Sequence, residues 1–386
     1  MNSDSNNSVK LFFCGDFCST PSTSYICVSE DLKDIISSCN IKVCNFEGPV
    51  KSLGKPIVKT PPHIQQSADA PLFLESLGFN VISLANNHIM DFGVEGYIST
   101  RKAFTKAVVA GAGTFDEVYN VKIFEIKDFK IGILFLTYAT VGALDTDYNN
   151  CETIGCAYID HLRTNHLISR SKKEVDFLLI YVHDGIEYFD VPLPEQRARY
   201  KDLIDYGADA IIGHHSHTPQ GWEIYNGCPI FYSLGNFFFN SKSTPDFKAK
   251  SDYWYNGLAV ELMLTKEHPI LFRVYNTLND CNRKIVLDNS ASSLSHTNGI
   301  CEILKDDDAY TKKISNMIEG LWSEKYAPAL FCGFAYIILR MNVFLFLKSI
   351  RKAFKLKDAN RVYSFLRNSN HKNIMVRALK SYTITT

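Results

Sequence analysis

Short apolar runs rich in β-branched and aromatic residues recur along the chain and alternate with segments of helical period, a pattern that predicts an α/β layered fold. The runs expected as strands are Val9–Phe13, Ile41–Asn45, Val81–Leu84, Lys130–Leu136, Phe177–Val182, Ala210–Ile212, Ile230–Tyr232 and Leu258–Leu264. Helices are expected from Ala70 to Leu77 and from Glu95 to Ala110, since each periodic stretch stops at a glycine, Gly78 or Gly111. Glycine just past a helix C-terminus takes the left-handed backbone that ends the helix. A weak internal echo accompanies this pattern. Gly78-Phe79-Asn80-Val81-Ile82 leads to Asn86-Asn87-His88, and Gly207-Ala208-Asp209-Ala210-Ile211 leads to His214-His215-Ser216-His217. Both read as helix, glycine stop, short strand and polar loop, which suggests two similar halves facing one site.

Apolar periodicity fades between Cys281 and Asp308, where Asn, Ser and Asp gather. We therefore expect a catalytic domain over residues 8–280, a linker over 281–308 and a helical C-terminal region over 309–386. Within that region Ala327 to Leu347 is largely apolar, but Arg340 and Asn342 interrupt it. A charge near the centre of a membrane span costs at least ~2.5 kcal/mol, so a buried or docking helix is expected in preference to a span. The basic residues that follow, from Lys348 to Lys357, keep contact with an anionic membrane face as the alternative.

The 41 basic and 41 acidic residues balance to a formal charge of zero, which argues against a nucleic-acid partner. Eleven cysteines without regular spacing, some inside apolar strands, fit reduced thiols in a cytoplasmic setting. The polar, Asn/Ser-rich start shows no signal-peptide pattern. Localisation is thus expected to be cytoplasmic, with a peripheral place on the inner membrane face as the alternative.

Nearly every expected strand runs directly into a residue able to bind metal or move a proton. The strands lead in turn to Asp16, to Glu47, to Asn86, Asn87, His88 and Asp91, to His183 and Asp184, to His214, His215 and His217, and to Ser233 and Asn236. Open α/β sheets bind ligands outside the carboxyl ends of their strands, so these groups should converge. Carboxylate, amide and imidazole donors without thiolate suit Mn²⁺, Fe²⁺ or Zn²⁺. Asp16, Glu47, Asn87, His183, His215 and His217 are too many for one ion with an open position. Two divalent ions about 3.5–4 Å apart would use them and would clamp a phosphoryl group, making phosphoester hydrolysis the expected reaction. Phosphate-binding glycine loops, Gly-x-Ser-x-Gly and Cys-x-x-Cys are absent.

Six ordered motifs carry a family resemblance: Gly15-Asp16, Asn45-Phe46-Glu47-Gly48-Pro49, Ala85-Asn86-Asn87-His88 through Gly93, His183-Asp184-Gly185-Ile186-Glu187-Tyr188, Gly213-His214-His215-Ser216-His217 and Tyr232-Ser233-Leu234-Gly235-Asn236-Phe237. Together, from about Val9 to Leu264, they resemble the poly-γ-glutamate capsule synthesis protein family, CapA, which is itself similar to calcineurin-type metallophosphoesterases. The resemblance implies a four-layer α/β/β/α sandwich with a helical C-terminal appendage. It implies Asp16 and His217 on a first metal, Glu47 as bridging carboxylate, and Asn87, His183 and His215 on a second. His88 would stabilise or protonate the leaving oxygen, with Asp91 orienting it. Asn86, Glu187, Tyr188, His214, Ser233 and Asn236 would line the substrate cleft or support the ligands. In the broad superfamily a histidine stands two places after the first aspartate; here it is Cys18, which puts full occupancy of the first metal in question.

A phosphorylated or polymeric capsule precursor is the implied substrate, with membrane-bound capsule synthesis machinery as the implied partner. Two other readings remain open: a non-hydrolytic assembly factor that binds polymer or synthase, and amide-bond chemistry on a γ-glutamyl polymer. His63, His161 and His166 follow no strand and are expected at the surface.

Overall fold

In the first strand, β1 (Val9–Ser19), Val9, Leu11 and Phe13 alternate with Phe12 and Cys14, and all five are fully buried. A strand covered on both faces reads as a continuous apolar run, which is why it stands out in the sequence. The computed structural model describes residues 8–144, 153–241, 251–279 and 283–326, with isolated positions 370, 372, 374 and 377. Among the described residues β1 is central to a sheet that also holds β2 (Cys27–Val28), β3 (Ile41–Phe46), β4 (Val81–Ser83) and β5 (Val108–Ala110). A second sheet holds β6 (Lys122–Ile126), β7 (Phe129–Thr137), β8 (Phe177–His183), β9 (Ala210–His214), β10 (Trp222–Tyr225) and β11 (Cys228–Phe231). The chain then returns to the first sheet with β12 (Asn236–Asn240), β13 (Asn256–Leu264), β14 (Leu271–Asn279) and β15 (Lys284–Leu287).

The first sheet runs β2-β15-β14-β13-β1-β3-β4-β5, and the second β10-β11-β9-β8-β7-β6. Strands β1, β3, β4 and β5 are parallel, as are β7, β8, β9 and β11, so each half points several strand ends the same way. Val9, Leu11 and Phe13 join Ile133, Leu179, Tyr181 and Ile212 in a core between the sheets. Phe12 and Cys14 face the other way, into a core closed by α1 (Glu30–Ser38), α2 (Ala70–Ser76) and α3 (Gly93–Ala103) through Leu32, Ile36, Leu74 and Tyr97. A short α4 (Phe115–Val118) precedes the second sheet, which carries α5 (Leu162–Ser171) and α6 (Pro194–Asp205); α6 lies against β9, and Lys172 at the end of α5 pairs with Asp209 at 2.7 Å. The layers are therefore helix, sheet, sheet and helix, the expected sandwich. Burying each large core side chain contributes roughly 1.5–3 kcal/mol.

Three expectations change. The helix expected to run to Ala110 ends at Ala103: Phe104 turns to extended backbone, φ −85° and ψ 127°, and packs edge-on against Phe46. Val108–Ala110 then form β5 beside β4, since β-branched residues fit a pleated, half-buried edge. The stretch expected as a linker over 281–308 instead carries β15 and α7 (Ala291–Lys305), within the compact unit made of residues up to Ile57 and Pro62–Lys305. Ile300, Cys301 and Leu304 are buried, and Thr297 donates to Asn276 Oδ1 at 2.9 Å; their helical spacing is hidden by the Ser and Thr around them. His161 is buried rather than at the surface, accepting the Arg163 N–H at the start of α5 and packing on Tyr119 and Tyr158.

A second compact unit takes in Val58–Pro61 and the described residues from Asp306 onward. Its helix α8 (Asp307–Leu321) is capped by Asp306, whose carboxylate accepts the Asp308 and Ala309 N–H groups at 3.0 Å. The apolar stretch Ala327–Leu347 lies outside the described residues. Among those described, no helix is long and apolar enough to cross a membrane. The eight described cysteines are free thiols, six of them buried.

Candidate metal centre

The parallel strands of both sheets end at one place. Asp16 sits at a bulge in β1, where pairing passes from β13 to β12 and lets the strand run on to Ser19 beyond the expected Phe13. Glu47 follows β3, and Asn86, Asn87, His88 and Asp91 follow β4. His183 and His214 are the last residues of β8 and β9, and His215 and His217 occupy the next loop. The two halves of the sequence echo thus lie on different sheets: Gly78 and Gly207 both have positive φ, 90° and 116°, and each precedes a strand that ends at the site.

Tight backbone contacts make this convergence possible. A Cβ on Gly15 would stand 2.2 Å from the Gly235 carbonyl oxygen, and one on Gly213 would stand 2.1 Å from that of Tyr232. Beyond Gly213, His215 and His217 hold left-handed backbone at φ 96° and 57°. Such positions cost about 1–3 kcal/mol each for a side-chain-bearing residue and persist where the surroundings impose them. Here the His215 N–H donates to Asp16 Oδ2 at 3.1 Å, tying the strained loop to the opposite sheet.

Asp16, Glu47 and His183 place one ligand-type atom each within 4.8 Å of one another, and all three are buried. His183 Nε2 lies 3.0 Å from Asn87 Oδ1 and 3.1 Å from His215 Nδ1. Glu47 Oε1 lies 4.0 Å from His183 Nε2 and 3.7 Å from His217 Nε2, while Asp16 Oδ2 is 3.7 Å from His217 Nδ1. Atoms that share an ion at ~2.1 Å stand about 3–3.4 Å apart, so Asn87, His183 and His215 already have ligand spacing, with Glu47 slightly beyond it. The donor set fits divalent metal.

Neighbouring groups fix the ring orientations. The His217 Nδ1–H donates to Asn236 Oδ1 at 2.9 Å, which turns the Nε2 lone pair toward Glu47. Asn236 is itself held by donating to the Trp254 carbonyl at 2.9 Å. Asn45 donates to Asp16 Oδ1 at 2.7 Å and stands 3.2 Å from His183 Nδ1, and Asn86 donates to Asn45 Oδ1 at 3.2 Å. His88 Nδ1 is 2.7 Å from Asp91 Oδ2, leaving Nε2 on the Glu47 side at 3.9 Å.

Burial alone would raise the Asp16 carboxyl, but the facing imidazoles, His183 first, hold it below the usual carboxylate range. Burial pushes His215 well below an ordinary histidine and lowers His217, which keeps both neutral, the form that ligates. His214, packed on the Tyr181 ring at 4.3 Å, is pushed down to about 3 by burial; its Nδ1 lies 3.7 Å from Asp16 Oδ1. Cys18 is sealed with Ile64, Phe239 and Trp254, and burial followed by the Glu47 charge pushes its thiol up. It is a packed apolar thiol where the broad superfamily has an imidazole.

Glu187 and Tyr188 are half-buried in the loop after β8, where Tyr188 takes positive φ and donates its N–H to the Ser216 carbonyl at 2.7 Å. Ser233 is buried and its hydroxyl accepts the Gly235 N–H at 3.1 Å, shaping the turn into Asn236. Sequence reasoning singled out neither Asn45 nor Tyr138 nor Trp254. Asn45 lies inside the quoted Asn-Phe-Glu motif and was legible there; Tyr138, its ring tilted at 4.8 Å from that of His215, and Trp254, 5.0 Å from His217, carry no local sign of their place.

Fold and site together define a two-sheet α/β protein with a buried carboxylate–imidazole cluster between its sheets. The chain belongs to the bacterial capsule synthesis protein PGA_cap family, whose model matches residues 10–241. It is similar to the PGA biosynthesis protein CapA of Bacillus subtilis, 34% identical over 213 residues covering 51% of this chain and 52% of that one. It is 35% identical to the capsule biosynthesis protein CapA of Bacillus anthracis over 186 residues, 46% of this chain and 44% of that one. The chain thus spans about half the length of the curated relatives it matches. Among solved structures, a phosphatase from Mycoplasma pneumoniae aligns over 75% of this chain and 97% of its own, at 15% identity and a TM-score of 0.43.

Proposed function

We propose that this protein is a metal-dependent phosphoester hydrolase acting on a phosphorylated precursor in capsule or exopolysaccharide assembly. The observation that carries this reading is the meeting of six oxygen and nitrogen donors from two sheets, with one imidazole, His88, beside them. Asp16 and His217 would hold one divalent ion, Asn87, His183 and His215 a second, and Glu47 both. Bound there, the ions would supply Lewis-acid stabilisation of charge on the phosphoryl oxygens.

The chain's own groups do the rest. His88 presents Nε2 toward the cluster, and the Asp91 carboxylate on Nδ1 stabilises its protonated form, so that it can give a proton to the departing alkoxide. Asn236 keeps the His217 ring in the ligating tautomer. Trp254 and Phe239 close the site against water on the His217 side. The relatives are named for PGA biosynthesis and for capsule biosynthesis, which supports the setting.

The test is metal content by mass spectrometry on the wild-type protein and on His215→Ala, beside turnover of an aryl phosphate ester with added Mn²⁺. Two metal equivalents, diminished in the variant, together with metal-dependent turnover are expected. No bound metal and no turnover would sink the hydrolase reading and favour an assembly factor, the role to which the apolar packing of Cys18 lends weight.

A further inference from the structure

His217 and His183, placed above on different ions, are held in different tautomers. Beside His217, Asn236 Nδ2 donates to the Trp254 carbonyl at 2.9 Å, so Oδ1 is the end that accepts from Nδ1, and the Nε2 lone pair is free. Beside His183 stands Asn45, which reaches from β3 across to the last residue of β8. Which end of that amide meets the ring decides which nitrogen of His183 carries the proton.

A chain of buried amides fixes that end. Asn86 Oδ1 accepts the Gly48 and His88 N–H groups at 3.3 and 3.2 Å. Its Nδ2 is therefore the end that donates to the Phe46 carbonyl at 2.9 Å and to Asn45 Oδ1 at 3.2 Å. With Oδ1 engaged by Asn86, Asn45 turns Nδ2 toward Asp16 Oδ1, at 2.7 Å, and His183 Nδ1, at 3.2 Å. The two amide hydrogens serve those two acceptors. Asp16 Oδ1 stands 3.6 Å from His183 Nδ1, beyond hydrogen-bond reach, so it does not hold a proton on that nitrogen. The ring proton of His183 therefore sits on Nε2, facing Asn87 Oδ1 at 3.0 Å and His215 Nδ1 at 3.1 Å. Asn45, Asn86 and His183 are all buried, so the amides rather than bulk water set the choice.

We infer that Asn45 is a positioning residue that holds His183 in the tautomer unable to bind metal through Nε2, so that the centre fills in order, the ion on His217 first and the ion on His183 second. For an ion to reach His183 Nε2, that nitrogen gives its proton to water and Nδ1 takes one up, which leaves the charge of the ring unchanged. A protonated Nδ1 then faces the Asn45 NH₂ group, and the amide has to turn over and give up its bond from Asn86. An ion already on Asp16 favours the turn, because it engages the carboxylate that Asn45 had served. The loading order rests on the metal-dependent reading, whereas the tautomer belongs to the metal-free chain and does not.

The test is ¹⁵N NMR of the full chain labelled in its histidines, without metal and then through one and two equivalents of Zn²⁺. The His183 and His217 signals are identified by their loss in His183→Gln and His217→Gln. Without metal, the protonated nitrogen is expected at Nε2 in His183 and at Nδ1 in His217. The first equivalent should move the His217 signals and not those of His183, and the second should carry the His183 proton to Nδ1. Asn45→Asp offers His183 an acceptor in place of a donor and should show Nδ1–H before any metal is added. The wild-type spectra decide the matter even where Asn45→Asp does not fold. Wild-type His183 protonated at Nδ1 without metal, an unchanged tautomer in Asn45→Asp, or a His183 response at the first equivalent would each overturn the inference. His183 protonated at Nε2 with no signal moved by Zn²⁺ would uphold the hold of Asn45 on the ring, remove the loading order and reject the metal centre on which the hydrolase reading stands.

Discussion

His88 Nδ1 and Asp91 Oδ2, three residues apart in one turn, lie 2.7 Å apart, and the same carboxylate oxygen accepts the Ile64 N–H at 2.8 Å. The carboxylate is thus positioned from two sides before it positions the ring. Asp91→Asn keeps an acceptor for Ile64 but removes the charge that favours protonated His88. We expect the variant to retain its metal and lose about 10²-fold or more in kcat, with KM little changed. Metal analysis and steady-state turnover of an aryl phosphate, run together, check this; loss of metal in Asp91→Asn would refute the assignment.

Asp16 and Glu47 are both fully buried and close to the same imidazoles, so like charges are held together in a desolvated place. A divalent ion should therefore stabilise the fold. At a hundred times its Kd it would add ~2.7 kcal/mol, a rise of several degrees in Tm. Mn²⁺ should produce that rise, a chelator should reverse it, and His217→Ala should diminish it. Thermal melts with and without the ion would show no shift if the cluster does not bind metal.

Glu75, on α2, accepts the N–H groups of Thr105, Lys106 and Ala107 at 2.8, 2.6 and 3.0 Å and so holds the loop that follows α3. Its burial would raise the carboxyl, but these donors outweigh burial and lower it. A lowered carboxyl contributes stability that is complete above the unfolded value of ~4.3 and is lost as pH falls through the folded value. Glu75→Gln should cost about 1.5–3 kcal/mol at neutral pH. The gap from wild type should narrow in acid. Urea midpoints at pH 7 and below pH 4 test this, and a constant gap would contradict it.

Two glycines should respond oppositely to alanine. At Gly213 the new methyl would meet the Tyr232 carbonyl at 2.1 Å, and Gly213→Ala should destabilise by ~3 kcal/mol or more and displace the His215 loop. At Gly299, inside α7, nothing stands within 4 Å, and Gly299→Ala should stabilise by about 0.5–1 kcal/mol. Denaturant titration of the two variants against wild type is sufficient; equal effects would show that the strand contact at Gly213 is not as close as described.

The sequence exposes what is local and conceals what depends on distant partners. Val9–Phe13 and Phe177–Val182 were legible because both faces are buried and the residues are almost all apolar. The extension of β1 to Ser19 was not, since Gly15 and Asp16 look like a loop until β12, more than 200 residues later, supplies pairing. The strand β14 escaped notice because its residues are half-covered and mix Arg273, Tyr275 and Asn276 with apolar neighbours. Of the cluster, the ligand-type residues were visible as strand-end polar motifs. Trp254, which packs on His217, was not, because an aromatic residue near a strand is usually core.

The place of β1 has a consequence for the order in which the chain can acquire structure during synthesis. Val9 pairs with Leu264, so the antiparallel neighbour of the first strand is among the last parts of the sandwich to leave the ribosome. Closing so long a loop is slow, and an unpaired strand edge invites wrong partners meanwhile. The parallel neighbour β3 is available early, and it brings Glu47 with it. His215 and His217 emerge much later, so a nascent chain stalled before them would hold the carboxylates of the cluster without two of its imidazoles. Capture of metal would then mark the moment at which the two sheets first meet.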